Sequence, residues 1–297
     1  SRDQYVILVD KTSLKELALA VNTACAGFMG KWKAKSKQMK ICIIGAGKMG
    51  IWLTDALCLQ HEVAIFDCEV ERLKYVFNTM RLTSYDQIRE FEPELVINAV
   101  TLKFTIDTFA AVLPYLPKDC ILSDIASVKT GLFDFYKQSG RRFVSTHPMF
   151  GPTFANLKAL SQHHAIIISE SDHMGKAFFK DFYGSLGLNI HEYSFDGHDQ
   201  TIAYSLSIPF ASTMVFAACM KHQKAPGTTF TKHLDVAKGL LSEDDYLLSE
   251  ILFNPYSMPQ IQSIVSQLNE LLGIIEEKDS EKMKAYLTVL RNNIKSN

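Results

Sequence analysis

The chain has 297 residues and a formal net charge of -1, a length that favours two ordinary domains. Its 47% hydrophobic and 21% charged residues describe a globular protein, and the near-neutral balance gives nucleic acid or an anionic membrane surface nothing to hold. No apolar run reads as long enough to span a membrane, no stretch has the layout of a secretory signal, and the six cysteines form no CxxC pair and no metal-ligand spacing with histidine. The expectations are reduced, buried thiols, a cytoplasmic location and no metal.

Residues 1–38 stand apart: 5–9 read as a strand, 14–28 as a helix, and the basic run from Lys31 to Lys37 as a solvated linker. They are an extension or the fragment of an upstream module. From residue 40, short apolar strands at 40–44, 62–66, 94–100, 120–123, 143–146, 165–169 and 189–193 alternate with helical spacing at 51–59, 105–113, 128–138 and 174–186. Such alternation predicts a parallel sheet covered on both faces. After about residue 195 the strands stop, and 200–221, 230–241, 244–253, 257–276 and 280–293 read as helices punctuated by Pro226-Gly227 and Asn254-Pro255. The predicted fold is an α/β doubly wound, Rossmann-type domain over 39–195 followed by an all-α dimerisation and substrate domain over 196–297.

The first predicted strand runs into Gly45-Ala46-Gly47-Lys48-Met49-Gly50, and a helix follows at once. Gly45 permits the tight turn, Gly47 lets the backbone approach a pyrophosphate, and Gly50 allows close packing of helix on strand. The free N–H groups at Lys48 and Met49 open the helix toward phosphate charge. The second strand ends in Asp67, 22 positions beyond Gly45, where a carboxylate accepts ribose hydroxyls and repels a 2′-phosphate. The expected cofactor is therefore NAD, which makes a nicotinamide-dependent dehydrogenase the expected enzyme class.

Two segments fall where later strands end, the rim at which doubly wound sheets bind ligands. They are Ser123-Asp124-Ile125-Ala126-Ser127-Val128-Lys129 and Ser145-Thr146-His147-Pro148-Met149-Phe150-Gly151-Pro152. Oxidising an alcohol by hydride transfer needs a group to take the hydroxyl proton, and imidazole suits that task. By position His147 is the best placed of nine histidines. Ser127 can hold the hydroxyl or the nicotinamide carboxamide, or simply cap a helix.

These segments also carry a resemblance. "LPKDCILSDIASVKTG" and "THPMFGP", downstream of "IIGAGKMG" and followed by "HDQTIAYSLSIPF", resemble the prephenate dehydrogenase family of tyrosine biosynthesis, from about Met39 into the C-terminal helices. The resemblance implies oxidation of the ring hydroxyl of prephenate, with hydride passing to NAD and the ring carboxylate leaving as carbon dioxide to give 4-hydroxyphenylpyruvate. It implies that His147 accepts the hydroxyl's hydrogen bond and that Ser127 bridges hydroxyl and nicotinamide. Lys129 reads as a helix-surface lysine near the same mouth.

The chain departs from the family's pattern at Gly239, where an arginine that binds a substrate carboxylate is expected, and at Ser207, where many members have histidine. Lys232 and Lys238, with His233 third, are the candidate cations for that carboxylate. Arogenate dehydrogenase is the nearest alternative; an imine reductase, a β-hydroxyacid dehydrogenase and a cofactor-sensing regulatory protein are more distant ones. His198-Asp199-Gln200 reads as the start of the first long helix of the second domain, with Asp199 in its first turn and a structural or domain-joining part. Apolar faces, including Leu206, Phe210 and Met214 on one helix and Ile264, Leu268 and Leu271 on another, predict a homodimer through the C-terminal helices.

Overall fold

The computed structural model describes residues 38–150 and 160–295, so the expected elements before residue 38, Cys25, and Gly151 and Pro152 of the second rim segment lie outside the described residues. Lys40–Asn297 forms one compact unit. Its centre is an eight-stranded sheet of β1 (Lys40–Ile44), β2 (Glu62–Phe66), β3 (Met80–Leu82), β4 (Leu95–Asn98), β5 (Ile121–Asp124), β6 (Phe143–Pro148), β7 (His164–Ile168) and β8 (Asn189–Tyr193). The spatial order is β3-β2-β1-β4-β5-β6-β7-β8. The strands β1, β4 and β5 are buried almost throughout because helices cover both faces, which is why their apolar residues come in unbroken stretches without alternation.

The pairs from β3 through to β6 are parallel, as expected, but β7 runs antiparallel to β6. The strand β8 lies parallel to β7, and as the edge strand it is mostly exposed, carrying His191 and Glu192 where the central strands carry aliphatics. The short edge strand β3 has one buried side chain, Leu82, and three residues leave no periodic signal to read.

The covering helices are α1 (Lys48–Leu57), α2 (Tyr85–Phe91), α3 (Thr105–Val112), α4 (Leu132–Ser139) and α5 (His173–Ser185). Ser84 and Asp172 cap α2 and α5 by accepting from backbone N–H groups of their first turns. The expected helix at 128–138 starts later, at Leu132, because Gly131 adopts φ +75° just before it. One continuous core cluster joins Ile44, Phe66 and Val96 of the sheet to Phe109, Tyr136 and Phe195 of the helices, and each such side chain contributes about 1.5–3 kcal/mol on burial.

The C-terminal part comprises α6 (Phe195–Ile202), α7 (Ile208–Cys219), α8 (Thr228–Leu240), α9 (Asp245–Leu252), α10 (Ser257–Glu277) and α11 (Ser280–Lys295). The expected helix over 200–221 is α6 and α7 joined by a π-helical stretch, Ala203–Ser207. Pro209 lies in the first turn of α7; its ring and missing N–H disfavour an ordinary α turn just upstream, and the widened turn accommodates them. The helix begins at Phe195, with Ser194 as its cap and Asp196 as its first-turn acid, so Asp199 does not lie in the first turn.

Phe195–Cys219, taken as one 25-residue helix, is long and apolar enough to cross a membrane, against the expectation of no such run. Among the described cysteines all are free, but Cys68 and Cys219 are exposed and Cys58 half-buried, leaving only Cys42 and Cys120 as buried thiols.

Candidate active site

The order β3-β2-β1-β4-β5-β6 reverses direction between β1 and β4, which opens a crevice beyond their carboxyl ends. There Gly45 has φ +103°, and a Cβ on it would lie 2.9 Å from the Ala99 carbonyl carbon, so only glycine fits between the two strand ends. A Cβ on Gly50 would stand 1.8 Å from the Gly45 oxygen, whereas one on Gly47 would meet nothing of the protein within 4 Å. Two glycines are thus demanded by the chain's own packing. The third keeps open the space in front of the N-terminus of α1. Lys48 is exposed and Met49 half-buried in the first turn of that helix.

Asp67, buried just beyond β2, braces this turn. Its Oδ2 accepts from Ala46 N at 2.8 Å and its Oδ1 from Glu69 N at 2.8 Å. A carboxylate has about four acceptor positions, so two N–H bonds leave room for hydroxyl donors. Arg72 Nη1 stands 3.9 Å from Asp67 Oδ2, with its other terminal nitrogen on Glu69. The turn, the open helix start and the buried acid together fit a dinucleotide.

Sheet register places the other candidates on the same rim. Ile44, Asn98, Asp124 and Ser145 lie in one row across β1, β4, β5 and β6. Gly45, Ala99 and Thr146 therefore follow one residue further on, and His147 next after that. Ser127 is half-buried on the loop between β5 and α4. It is not the cap of α4, a position that Gly131 occupies.

Lys129 is the largest departure from expectation at the site. It is not on a helix surface but 2% exposed, with Nζ donating to Asp124 Oδ1 and, at 2.8 Å, to the Thr146 carbonyl. Asp124 also accepts from Tyr136 Oη at 2.7 Å and from Ala126 N at 3.0 Å. Burial depresses the Lys129 pKa, and the Asp124 charge beside it pulls it back up. Burial together with the same carboxylate holds the Tyr136 phenol well above its usual range, so it stays a donor. Removing one partner of such a pair would strand a buried charge at about 3–5 kcal/mol. The pair locks the Ser127 loop against the end of β6, one residue before His147.

His147 is 8% exposed, and its Nδ1 lies 3.0 Å from His198 Nε2. His198 is fully buried, and its Nδ1 lies 3.0 Å from Asp199 Oδ1. Burial, then the neighbouring His198 ring and the Lys129 charge, hold the His147 pKa well below that of free histidine. Burial also lowers His198, opposed by its bond to Asp199. Both rings are therefore neutral near pH 7. His198 follows Phe195 by three residues and precedes Ile202 by four, all on one buried face of α6. That spacing, with an adjacent acid, is the signal in the sequence for a buried histidine, where a structural or domain-joining part is the expectation.

The remaining candidates do not converge on His147 within this chain. Ser207 is buried with its Oγ 2.7 Å from Ser257 Oγ, which in turn donates to the Ile251 carbonyl. It ties the π-helical stretch to α10. Lys232, Lys238, His233 and Gly239 are exposed on α8. Lys238 lies 3.7 Å from Asp235, and His233 packs on Phe216. Among the described residues no cluster of His, Cys, Asp and Glu suited to a metal occurs.

Residues 67–186 match the family model described as prephenate dehydrogenase, nucleotide-binding domain. A cyclohexadienyl dehydrogenase of Zymomonas mobilis is 23% identical over 267 residues, 81% of this chain and 90% of the relative. A probable arogenate/prephenate dehydrogenase of Methanocaldococcus jannaschii is 22% identical over 204 residues, 63% of this chain but 45% of the relative, so the chain spans less than half the length of that protein. The crystal structure of prephenate dehydrogenase from Aquifex aeolicus, in complex with hydroxyphenyl propionate and NAD+, is 19% identical. It superposes with a TM-score of 0.76 over 89% of this chain and 100% of that one, a likeness of fold.

Proposed function

We infer, from a chain that belongs to the prephenate dehydrogenase family, that this oxidoreductase carries out the NAD-dependent oxidative decarboxylation of prephenate to 4-hydroxyphenylpyruvate. The observation that carries this reading is the buried, neutral His147 at the rim shared with the glycine turn. NAD bound across that rim supplies the hydride acceptor. Gly47 and the N–H groups opening α1 would hold its pyrophosphate, and Asp67 the adenosine ribose. Arg72 is already occupied by Glu69, so the negative Asp67 favours NAD over NADP.

The imidazole of His147 accepts the hydrogen bond of the ring hydroxyl as its carbon gives up hydride. Ser127 orients that hydroxyl toward the nicotinamide. Loss of the ring carboxylate as carbon dioxide leaves its bonding electrons in the ring, and aromatisation drives the step, so the protein need only position the reactants and polarise one hydroxyl. Prephenate has a second carboxylate, and its expected arginine is Gly239. Lys232 and Lys238 are the proposed replacements, as point charges rather than a bidentate fork. Arogenate, which carries an amine on its side chain, is the second reading that this missing fork keeps open.

We further propose a cytoplasmic homodimer. The helices α7 and α11 bury no side chain in the single chain, and Val265, Leu268, Leu272 and Ile275 of α10 are exposed; a second copy covering these faces accounts for the apolar length of Phe195–Cys219. The function is tested at His147. His147→Asn should lower kcat with prephenate by about 10²–10⁴-fold while NAD affinity stays within a factor of two or so. Equal losses in both would remove His147 from the chemistry.

A further inference from the structure

We propose that Asp199 and His198 are positioning residues that set the tautomer of His147, leaving its Nε2 without a hydrogen and available as an acceptor. The hydrogens available along two contacts of 3.0 Å fix the tautomer. An ionised carboxylate only accepts, so the contact with Asp199 Oδ1 requires the hydrogen on His198 Nδ1. His198 is buried and neutral, so its Nε2 then holds a lone pair. The contact with His147 Nδ1 also needs one hydrogen, and only His147 can supply it. His147 is therefore the Nδ1–H tautomer, and its other nitrogen is bare. Without the carboxylate the His–His contact is satisfied equally well the other way round, with His147 carrying its hydrogen on Nε2, where it could not accept from a hydroxyl.

The surroundings hold the chain of three in place. Asn254 Nδ2 donates to the Asp199 carbonyl at 3.0 Å, and His198 N donates to the carbonyl of the capping Ser194 at 2.8 Å. The other charged groups packed around the rings are Lys129 and Asp124, which pair with each other. The Lys129 cation disfavours an imidazolium at either histidine. Among the described residues Asp199 is thus the one acid in hydrogen-bond contact with the imidazole pair.

The catalytic consequence rests on the function proposed above, but the tautomer does not, so two measurements separate them. Side-chain ¹⁵N spectra of histidine-labelled protein without ligands, assigned by the signals lost in His147→Asn and His198→Asn, should show His147 with a protonated Nδ1 and an unprotonated Nε2. In Asp199→Ala the two His147 nitrogens should move toward averaged shifts. A hydrogen on Nε2 in the unaltered protein, or an unchanged His147 pattern in Asp199→Ala, would overturn the proposal whatever the enzyme's substrate. In turnover, Asp199→Ala should lose about 10–100-fold in kcat, part of what a positioned base contributes, with Asp199→Glu recovering part of it and NAD affinity unmoved. If the unaltered enzyme turns over neither prephenate nor arogenate, the function reading fails and the spectra alone decide the tautomer.

Discussion

Single side chains at this site work through what burial does to charge. His147 and His198 are both held neutral by burial in the folded chain, whereas in the unfolded chain they titrate near 6.5. A histidine whose folded pKa is depressed contributes stability that is fully present above the unfolded pKa. That stability is lost as pH falls below it, because the unfolded chain then binds protons the folded one refuses. The melting temperature should therefore drop between neutrality and about pH 5, and the drop should be shallower in His147→Asn. An identical slope in the two proteins would show that these rings are not the neutral pair described. At Lys129 the same burial meets a counterweight: it lowers the lysine pKa while the Asp124 charge raises it, and Nζ donates to Asp124 and to the Thr146 carbonyl.

Among the elements, the turn between β1 and α1 separates folding from binding within six residues. Gly50→Ala forces a Cβ onto the Gly45 carbonyl and should destabilise the fold by about 1–3 kcal/mol, as overpacking does. Gly47→Ala meets nothing of the protein, so its melting temperature should stay put while NAD binding weakens at least about tenfold, because the methyl enters the space left for pyrophosphate. Matched thermal and NAD titrations of the two variants check this, and a destabilised but normally binding Gly47→Ala would contradict it. This turn and the strands around it were legible in the sequence because an all-apolar run ending in glycine has few other uses. The antiparallel β7 was not, since apolar strands read alike in either direction. Nor were the partners of Lys129 and His147. Asp124 is five residues from Lys129 through an irregular loop, and His198 is 51 residues from His147, so neither pairing leaves a periodic trace. The π-helical stretch at Ala203–Ser207 was announced only by Pro209.

Over the whole molecule, the sheet half is closed around its own core while the helical half leaves apolar faces on α7, α10 and α11 uncovered. The mass in solution should accordingly be twice 33.4 kDa, and Leu268→Glu, placed on the exposed face of α10, should shift it toward the single chain. A monomeric mass for the unaltered protein would leave those faces unexplained by a second copy. A dimer would also bear on the substrate, because Lys232 and Lys238 stand exposed on α8 in the single chain. The reaction itself is tested most plainly by steady-state formation of reduced nicotinamide from prephenate and from arogenate, each with NAD and with NADP. Prephenate with NAD should give NADH and carbon dioxide in equal amounts, and turnover with NADP should be much slower. No reduction of either cofactor by either substrate would contradict that reaction.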